Sequence, residues 1–354
     1  MAKKLMKGSE AIGEAAIQAG CRYFFGYPIT PQNEIPEYMS RRLPKEGGCF
    51  LQAESEVAAI NMVYGAAGAG ARVMTSSSSP GISLKQEGIS YIACAELPCV
   101  IVNMMRVGPG LGGILPAQGD YFQATKGGGH GDYHLVVLAP STVQEAADMV
   151  MEGFDIADTY RIPVMVLGDG MIGQIMEPVE FKAPKKREVP AKTWAATGWE
   201  DKSRPRAIIN SLYIEAEQMQ EVSERLLDRY AQIAQNETRV EEFMMEDAEY
   251  CIAAYGTTAR IAKSAVVKAR QMGIKAGLIR PLTIWPFPDQ AFAKAAEQVK
   301  AFLTIEMSAG QMVEDVRLAV AGKKPVYFKG TLGGFVPTTQ DMVAELVKLT
   351  EGRE

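Results

Sequence analysis

Apolar and polar positions alternate along the first half of the chain in two distinct rhythms. Ser9 to Ala19 has helical spacing, with Ser9 as a capping residue and Gly20 as the stop. Tyr23-Phe24-Phe25 is a short strand, halted by Gly26 and the prolines Pro28 and Pro31. Glu56 to Gly70 reads as a helix rich in small residues, and Arg72 to Thr75 as a strand followed by a turn over Ser76–Gly81. Leu84 to Ala95 predicts a helix, and Pro98 to Met105 is a near-continuous apolar strand. Leu135–Leu138 and Pro163–Leu167 are two more buried strands, separated by an amphipathic helix over Thr142–Tyr160. Strands that are apolar throughout and separated by helices predict a parallel sheet covered on both faces.

The rhythm changes near Glu177. Pro178 to Pro205 contains four prolines, a Lys-Lys-Arg run and two tryptophans, which reads as an extended linker or flap. Ala207 to Thr238 has the pattern of a long charged helix. A second, smaller α/β unit follows, with strands at Tyr250–Tyr255, Lys275–Leu278, Ala301–Ile305 and Pro325–Lys329. Helices are predicted at Gly256–Met272, Pro288–Gln298, Gly310–Ala321 and Thr338–Leu349. The expected units are 1–178, a linker and helix at 179–245, and 246–354.

Composition narrows the function classes. The 354 residues are 47% hydrophobic and 22% charged, with a net charge of -5. That composition excludes disorder as the main state, and mild acidity argues against a nucleic-acid binder. No apolar run is long enough for a membrane span. The N-terminus MAKKLMKGSEA lacks the apolar core of a signal peptide, so a cytoplasmic location is expected. The five cysteines are scattered, with no CxxC pair, which reads as reduced thiols and excludes a compact four-cysteine cluster motif.

Several strings invite chemistry. Gly108 to Gly113 matches GxGxxG after a strand, but Ile114-Leu115-Pro116 is poor helix initiation, so a dinucleotide site is not expected. Arg106 ends an apolar strand beside that loop, where a guanidinium can grip a carboxylate. Glu54 and Glu56 open a helix, where a carboxylate also needs no function beyond the helix dipole. His130, in a loop of glycines, is a candidate site residue, whereas His134 at a strand start is structural. Gly256–Thr258 opens a helix and is either a phosphate site or a simple cap.

The run Tyr27-Pro28-Ile29-Thr30-Pro31, the segment Gln52–Ala67 (QAESEVAAINMVYGAA) and Ser78–Gly88 (SPGISLKQEG after Ser78) occur in one order with RVGPG and GHGDYHLVVLAP. With AYGTTARIAKSAV, LIRPLTIWPFP and IEMSAGQM in the second unit, they resemble the alpha subunit of 2-oxoacid:ferredoxin oxidoreductases, nearest to the 2-ketoisovalerate type. The resemblance covers nearly the whole chain. It implies a thiamine diphosphate-binding fold of the pyrimidine type, followed by a transketolase C-terminal-like α/β domain.

It further implies oxidative decarboxylation of a 2-oxo acid to an acyl-coenzyme A and carbon dioxide, with electrons passed to ferredoxin. Glu56 matches the residue that meets the aminopyrimidine ring, with Pro28, Ile29 and Gly81 around the cofactor. Thr30 and Arg106 match substrate-binding positions, and His130 is placed with them. Gly168-Asp169-Gly170 resembles the start of the diphosphate–magnesium motif, but the asparagine that completes it is missing from Lys192 to Gly198. Magnesium and iron–sulfur clusters are therefore expected on partner subunits: a diphosphate-binding beta subunit, a gamma subunit and a ferredoxin-like delta subunit. The alternatives are a pyruvate or 2-oxoglutarate enzyme of the same family, or a non-catalytic assembly subunit with the same fold.

Overall fold

The computed structural model describes residues 3–182, 187–200, 202–203 and 205–352. Met1 and Ala2 of the N-terminal string, and Pro184, Lys185 and Lys186 of the predicted linker, lie outside the described residues. The first part of the chain runs β1 (Lys4–Lys7), α1 (Gly8–Gln18), β2 (Tyr23–Gly26), α2 (Glu34–Arg42), β3 (Cys49–Gln52), α3 (Glu56–Gly68), β4 (Val73–Ser77) and α4 (Ser79–Cys94). It continues through β5 (Cys99–Met105), α5 (Tyr121–Thr125), β6 (Val136–Leu138), α6 (Val143–Tyr160), β7 (Pro163–Asp169), α7 (Gly170–Gln174) and β8 (Met176–Val179). Then come α8 (Ala216–Glu237), β9 (Val240–Phe243), β10 (Tyr250–Ala253), α9 (Gly256–Gln271), β11 (Ala276–Pro281) and β12 (Thr283–Trp285). The last elements are α10 (Asp289–Gln298), β13 (Ala301–Glu306), α11 (Met312–Val320), β14 (Val326–Gly330) and α12 (Thr339–Thr350).

The larger sheet has the order β12-β6-β7-β5-β4-β2-β3, parallel except where β12 meets β6. Every residue of β5 and β7 is buried, and successive side chains point to opposite faces. Val100, Val102 and Met104 join a core with α1 and α6, while Ile101 and Met105 join one with α3 and α4. The unbroken apolar runs in the sequence are thus two half-patterns, one for each face. The smaller sheet, β14-β13-β10-β11-β9, is parallel apart from β9 at its edge.

The two sheets are locked together. β12 leaves the second unit to pair with β6, Thr283 opposite Leu138 and Trp285 opposite Val137. Arg280 on β11 is fully buried and donates to Glu145 on α6 and to Glu241. Tyr121 Oη donates to Asp315 Oδ2 at 2.5 Å.

Several expectations change. Ser9 does not cap α1: the helix opens at Gly8 after Lys7, and the buried Ser9 hydroxyl inside it has no hydrogen-bond partner. α4 begins at Ser79, not Leu84, because a proline in the first helical turn lacks only an N–H that would be unpaired there anyway. The predicted turn over Ser76–Gly81 is therefore the end of β4 and the first turn of α4. The long charged helix begins at Ala216 instead of Ala207. In the segment before it, the Asn210 side chain accepts from Leu212 N at 3.0 Å, a local bond that competes with helix. β1, β3, α2, β8, β9 and β12 have no counterpart in the sequence pattern. They are short, and several lie at sheet edges where the alternation of polar and apolar residues is weak.

Candidate active site

The site forms at the carboxyl end of the central parallel strands. Glu56 is the first residue of α3 and is 6% exposed. Ser55 precedes it as the cap, its Oγ accepting from Ala58 N at 3.1 Å. α4 lies close against α3 because two glycines remove the side chains between them. A Cβ on Gly81 would sit 2.7 Å from Glu56 Oε1 and 2.1 Å from Ser77 Oγ, and one on Gly88 would sit 2.5 Å from Ile60 Cγ2. Ser77 brings into this corner a hydroxyl that is buried and has no hydrogen-bond partner, and the next residue, Ser78, carries a second buried, unpartnered hydroxyl. A buried carboxylate with an unpaired hydroxyl beside it is a polar cradle suited to a hydrogen-bonding ligand.

The Tyr27–Pro31 loop lies alongside. Pro28 and Thr30 are exposed and Ile29 is half-buried, and the Thr30–Pro31 peptide is cis. Gln32, fully buried, ties the loop to β4: its N–H donates to Ile29 O at 3.1 Å, and its Oε1 accepts from Ser76 Oγ. Arg106 follows the end of β5 and reaches the same loop. Its Nη1 donates to Thr30 O and its Nη2 to Leu111 O, both at 2.9 Å, while buried Nε has no partner. The Thr30 backbone and the Arg106 side chain therefore meet, with the guanidinium anchored to two carbonyls and its buried Nε without a partner. Behind it, Ser79 Oγ accepts from Arg106 N at 3.0 Å and donates to Asp120 Oδ2 at 2.6 Å. Burial pushes the Asp120 carboxyl up, and bonds from Ser79 and Asn103 pull it back.

The glycine string from Gly108 is a folded-back loop with no helix after it. Gly113 N donates to Val107 O at 3.0 Å, and Val107 N donates to Leu115 O at 2.9 Å. Gly112 has a φ of +60°, and a Cβ there would strike Val107 O at 1.9 Å, so this turn requires glycine. Beside the loop is a cleft of about 680 Å³ lined by Thr30, Ile114, Leu115, Met171 and Ile175, with Glu34 and Glu37 also on its wall.

Other candidates are placed elsewhere. His130 is exposed, and its carbonyl accepts from Ser90 Oγ at 2.7 Å. Ser90 is nine residues beyond Gly81 on α4, or ~13 Å along the helix axis, so His130 is not brought together with Glu56. Asp169 caps α7 by accepting from Met171 N and Ile172 N. Gly256, Thr257 and Thr258 are buried, and Gln118 covers them: Thr258 Oγ1 donates to Gln118 Oε1 at 2.7 Å. That helix N-terminus is covered by protein, and no side chain caps it: the residue before it is Tyr255, and Thr258 bonds Gln118 instead of the helix backbone. Among the described residues, no group of three or more His, Cys, Asp or Glu side chains is set to hold a metal ion, and no helix is long and apolar enough to cross a membrane.

Sequence reasoning missed Lys85. It is fully buried on α4, and Nζ donates to Thr75 Oγ1 at 2.6 Å and to Ser76 O at 3.1 Å. Burial pushes its amino group down to about 7, and the negative charge of Glu56 pulls the other way. The signal was present in the sequence: within the predicted helix Leu84–Ala95, Lys85 stands at i, i+4 and i+7 with Ile89 and Ile92, on the apolar side.

Comparison with known proteins places these features in context. Residues 14–258 match the family described as pyruvate flavodoxin/ferredoxin oxidoreductase, thiamine diphosphate-binding, and residues 248–342 match the pyruvate:ferredoxin oxidoreductase core domain II. The chain is 48% identical to the ketoisovalerate oxidoreductase subunit VorB of Methanothermobacter thermautotrophicus, over 98% of this chain and 97% of that one. It is 36% identical to the 2-oxoglutarate synthase subunit KorA of the same organism, over 97% and 98%. In structure it is similar to the 2-oxoglutarate:ferredoxin oxidoreductase of Magnetococcus marinus, solved with 2-oxoglutarate, coenzyme A and succinyl-CoA bound. The TM-score is 0.88 at 25% identity, covering 98% of this chain and 65% of that chain, so this chain spans about two thirds of its length. A split-gene transketolase, with a TM-score of 0.58 at 13% identity, shares the fold. The α/β architecture is thus a thiamine diphosphate-binding fold, and the chain belongs to the 2-oxoacid:ferredoxin oxidoreductase family.

Proposed function

We propose that this chain is the subunit of a 2-oxoacid:ferredoxin oxidoreductase that holds the aminopyrimidine half of thiamine diphosphate and the carboxylate of the 2-oxo acid. The observation that carries this reading is the cradle in which the Glu56 carboxylate lies against Gly81 beside the unpaired hydroxyl of Ser77. These residues fit the ring: Gly81 leaves the Glu56 carboxyl and the Ser77 hydroxyl room to lie side by side, and Glu56 can exchange a proton with a ring nitrogen. Thiamine diphosphate, when bound, supplies the carbon nucleophile and electron sink for oxidative decarboxylation.

The protein's own residues do the rest. Glu56 holds or gives up a proton at its Oε atoms. Pro28, Ile29 and Thr30 form the neighbouring wall, and Arg106 offers Nε to a substrate carboxylate. A charge-assisted bond there holds the 2-oxo acid while the acid keeps its charge, and weakens as carbon dioxide leaves. The Ser79–Asp120 pair fixes the Arg106 backbone. Ile114, Leu115, Met171 and Ile175 give the adjoining cleft apolar surface.

The preferred substrate in this reading is a branched-chain acid, 2-ketoisovalerate. The cleft wall is mixed: Ile114, Leu115, Met171 and Ile175 are apolar, Asn33 and Gln174 are polar, and the charged groups lining it, Glu34 and Glu37, are both carboxylates, Glu34 being paired with Lys7. A 2-oxoglutarate side chain would bring a third negative charge beside them, whereas an isopropyl group would bury apolar surface. Similarity to the VorB subunit supports the same choice. Coenzyme A is the acyl acceptor and ferredoxin the electron acceptor. Magnesium with the diphosphate, and the iron–sulfur clusters, are assigned to beta, gamma and delta partner subunits. The work is placed in the cytoplasm. His130 takes no part in this reading, because it lies exposed beside Ser90, far along α4 from Gly81 and Glu56.

The test is Glu56→Gln in the reconstituted complex, assayed by 2-oxo acid-dependent viologen reduction over a panel of acids. Turnover is expected to be abolished with assembly intact, and the parent complex should favour 2-ketoisovalerate over 2-oxoglutarate. Near-parent turnover in the variant refutes the role of Glu56, and a preference for 2-oxoglutarate refutes the substrate assignment.

A further inference from the structure

Gly81, Lys85 and Gly88 stand at i, i+4 and i+7 on α4 and so form one stripe along the helix. The two glycines are where α3 comes closest, Gly81 facing the Glu56 carboxylate and Gly88 facing Ile60. Lys85 lies between them on the same seam. Its side chain is 0% exposed, and two of its three donor positions are taken by Thr75 Oγ1 and Ser76 O, both neutral acceptors on β4. No carboxylate pairs with it within ion-pair distance among the described residues. Glu56 is the charged group that acts on it through space. A buried amino group without a paired carboxylate is costly, and an apolar side chain of similar length would serve the packing at least as well. The same network continues from Ser76 through Gln32 to the Tyr27–Pro31 loop, so Lys85 is joined to both walls of the site.

We propose that Lys85 is a positioning residue for the reaction: its amino group, buried on the α3–α4 seam between the two glycines that bring α3 close, sets the positive charge against which the Glu56 carboxyl hands a proton to a bound ring. One proton moves between a Glu56 oxygen and the ring nitrogen, and no other bond changes. Lys85 touches neither ring nor substrate and acts only through Glu56. The inference rests on the assignment of Glu56 made above.

The coupling is reciprocal, which gives a readout independent of turnover. In the ¹⁵N-lysine-labelled full chain without cofactor, NMR titration should give Lys85 Nζ a midpoint near the value set by burial and Glu56, about 7. Glu56→Gln removes the charge that holds the amine protonated, so the midpoint should fall by about one unit. An unmoved midpoint overturns the inference, and the experiment needs only chains that retain Lys85. In the reconstituted complex, Lys85→Met should lower kcat by about tenfold or more, part of the ~10²–10⁴-fold typical of positioned acid–base groups. KM for the 2-oxo acid should be unchanged, and the pH profile of kcat should be displaced. Parent kcat and pH profile in Lys85→Met also overturn it. The two readings fail separately. Turnover retained in Glu56→Gln refutes the role of Glu56, whereas turnover lost there with the Lys85 midpoint unmoved refutes only the role of Lys85.

Discussion

Gly81→Ala tests the cradle with a single methyl group. The new Cβ would lie 2.1 Å from Ser77 Oγ, 2.7 Å from Glu56 Oε1 and 3.2 Å from Glu56 Cγ. Contacts of that kind do not persist below 3.0 Å, so the Ser77 hydroxyl must move by about 1 Å and the carboxylate by a few tenths of an ångström. Overpacking of this sort costs about 1–3 kcal/mol, while replacing glycine by alanine inside a helix returns roughly 0.5–1 kcal/mol. The net loss of stability should therefore be small, about 0–2 kcal/mol on those two principles. The effect on chemistry should be larger, because a misplacement near 1 Å can cost ~10²-fold in rate. We expect Gly81→Ala to lower turnover by about ten- to a hundredfold and to weaken thiamine diphosphate binding, with thermal unfolding little changed. The assays are viologen reduction by the reconstituted complex, cofactor titration and calorimetry of the same preparation. Adding Ser77→Gly removes the shorter clash and should restore part of the loss. Parent turnover and parent cofactor affinity in Gly81→Ala would refute the placement of the ring in this corner.

Two further outcomes follow from charged groups. Arg106→Ala should raise KM for the 2-oxo acid by about tenfold or more, the scale of a lost charge-assisted hydrogen bond, and unchanged substrate kinetics would remove Arg106 from the site. Arg280→Met should destabilise the chain by ~3 kcal/mol in urea unfolding, at the low end for a broken buried pair because Glu145 and Glu241 are partly solvated. The same contacts set an acid limit. Burial pushes Glu145 up, but Arg280 and Ser141 outweigh it and hold the carboxyl below its ordinary range. Glu96 with Arg225 and Arg229, and Glu237 with Arg187, show the same balance. A carboxyl lowered in the folded state contributes stability above its unfolded value, ~4.3, that is lost as pH falls through the folded value. Calorimetry should show that loss on acidification from about pH 5 to 3, and a flat profile there would contradict it.

Much of the architecture was legible because burial on both faces of a parallel sheet leaves a local trace. β5 and β7 are apolar at every position since each face has its own helices to meet. α6 announces itself by a capping residue, Ser141 or Thr142 in the sequence and Thr142 in the structure, and by a clear amphipathic pattern. The illegible elements are those whose partners are distant. β12 is three residues long and exists because β6 offers an edge more than a hundred residues earlier in the chain. β9 is held by β11 in the same way. The start of α4 was hidden by Ser-Pro-Gly, a string that reads as a turn unless the chain before it is fixed in a strand.

For the site, sequence alone determined the chemical inventory: a carboxylate at a helix start, a guanidinium after an apolar strand, a threonine in a proline-rich loop, and glycines where close approach is needed. Tertiary structure decided which of these meet. It joined Arg106 to Thr30 through a carbonyl, set Glu56 against Gly81, left His130 at the far end of α4, and closed the Gly256 helix end under Gln118. It also supplied Lys85, an ordinary charged residue in the sequence and a fully buried amine beside Glu56 in the fold. The physical reason is one of range. Hydrogen-bond propensity and amphipathic period act over a few residues and are written locally, whereas burial, and the electrostatics that burial amplifies, depend on which distant segments the sheet brings together.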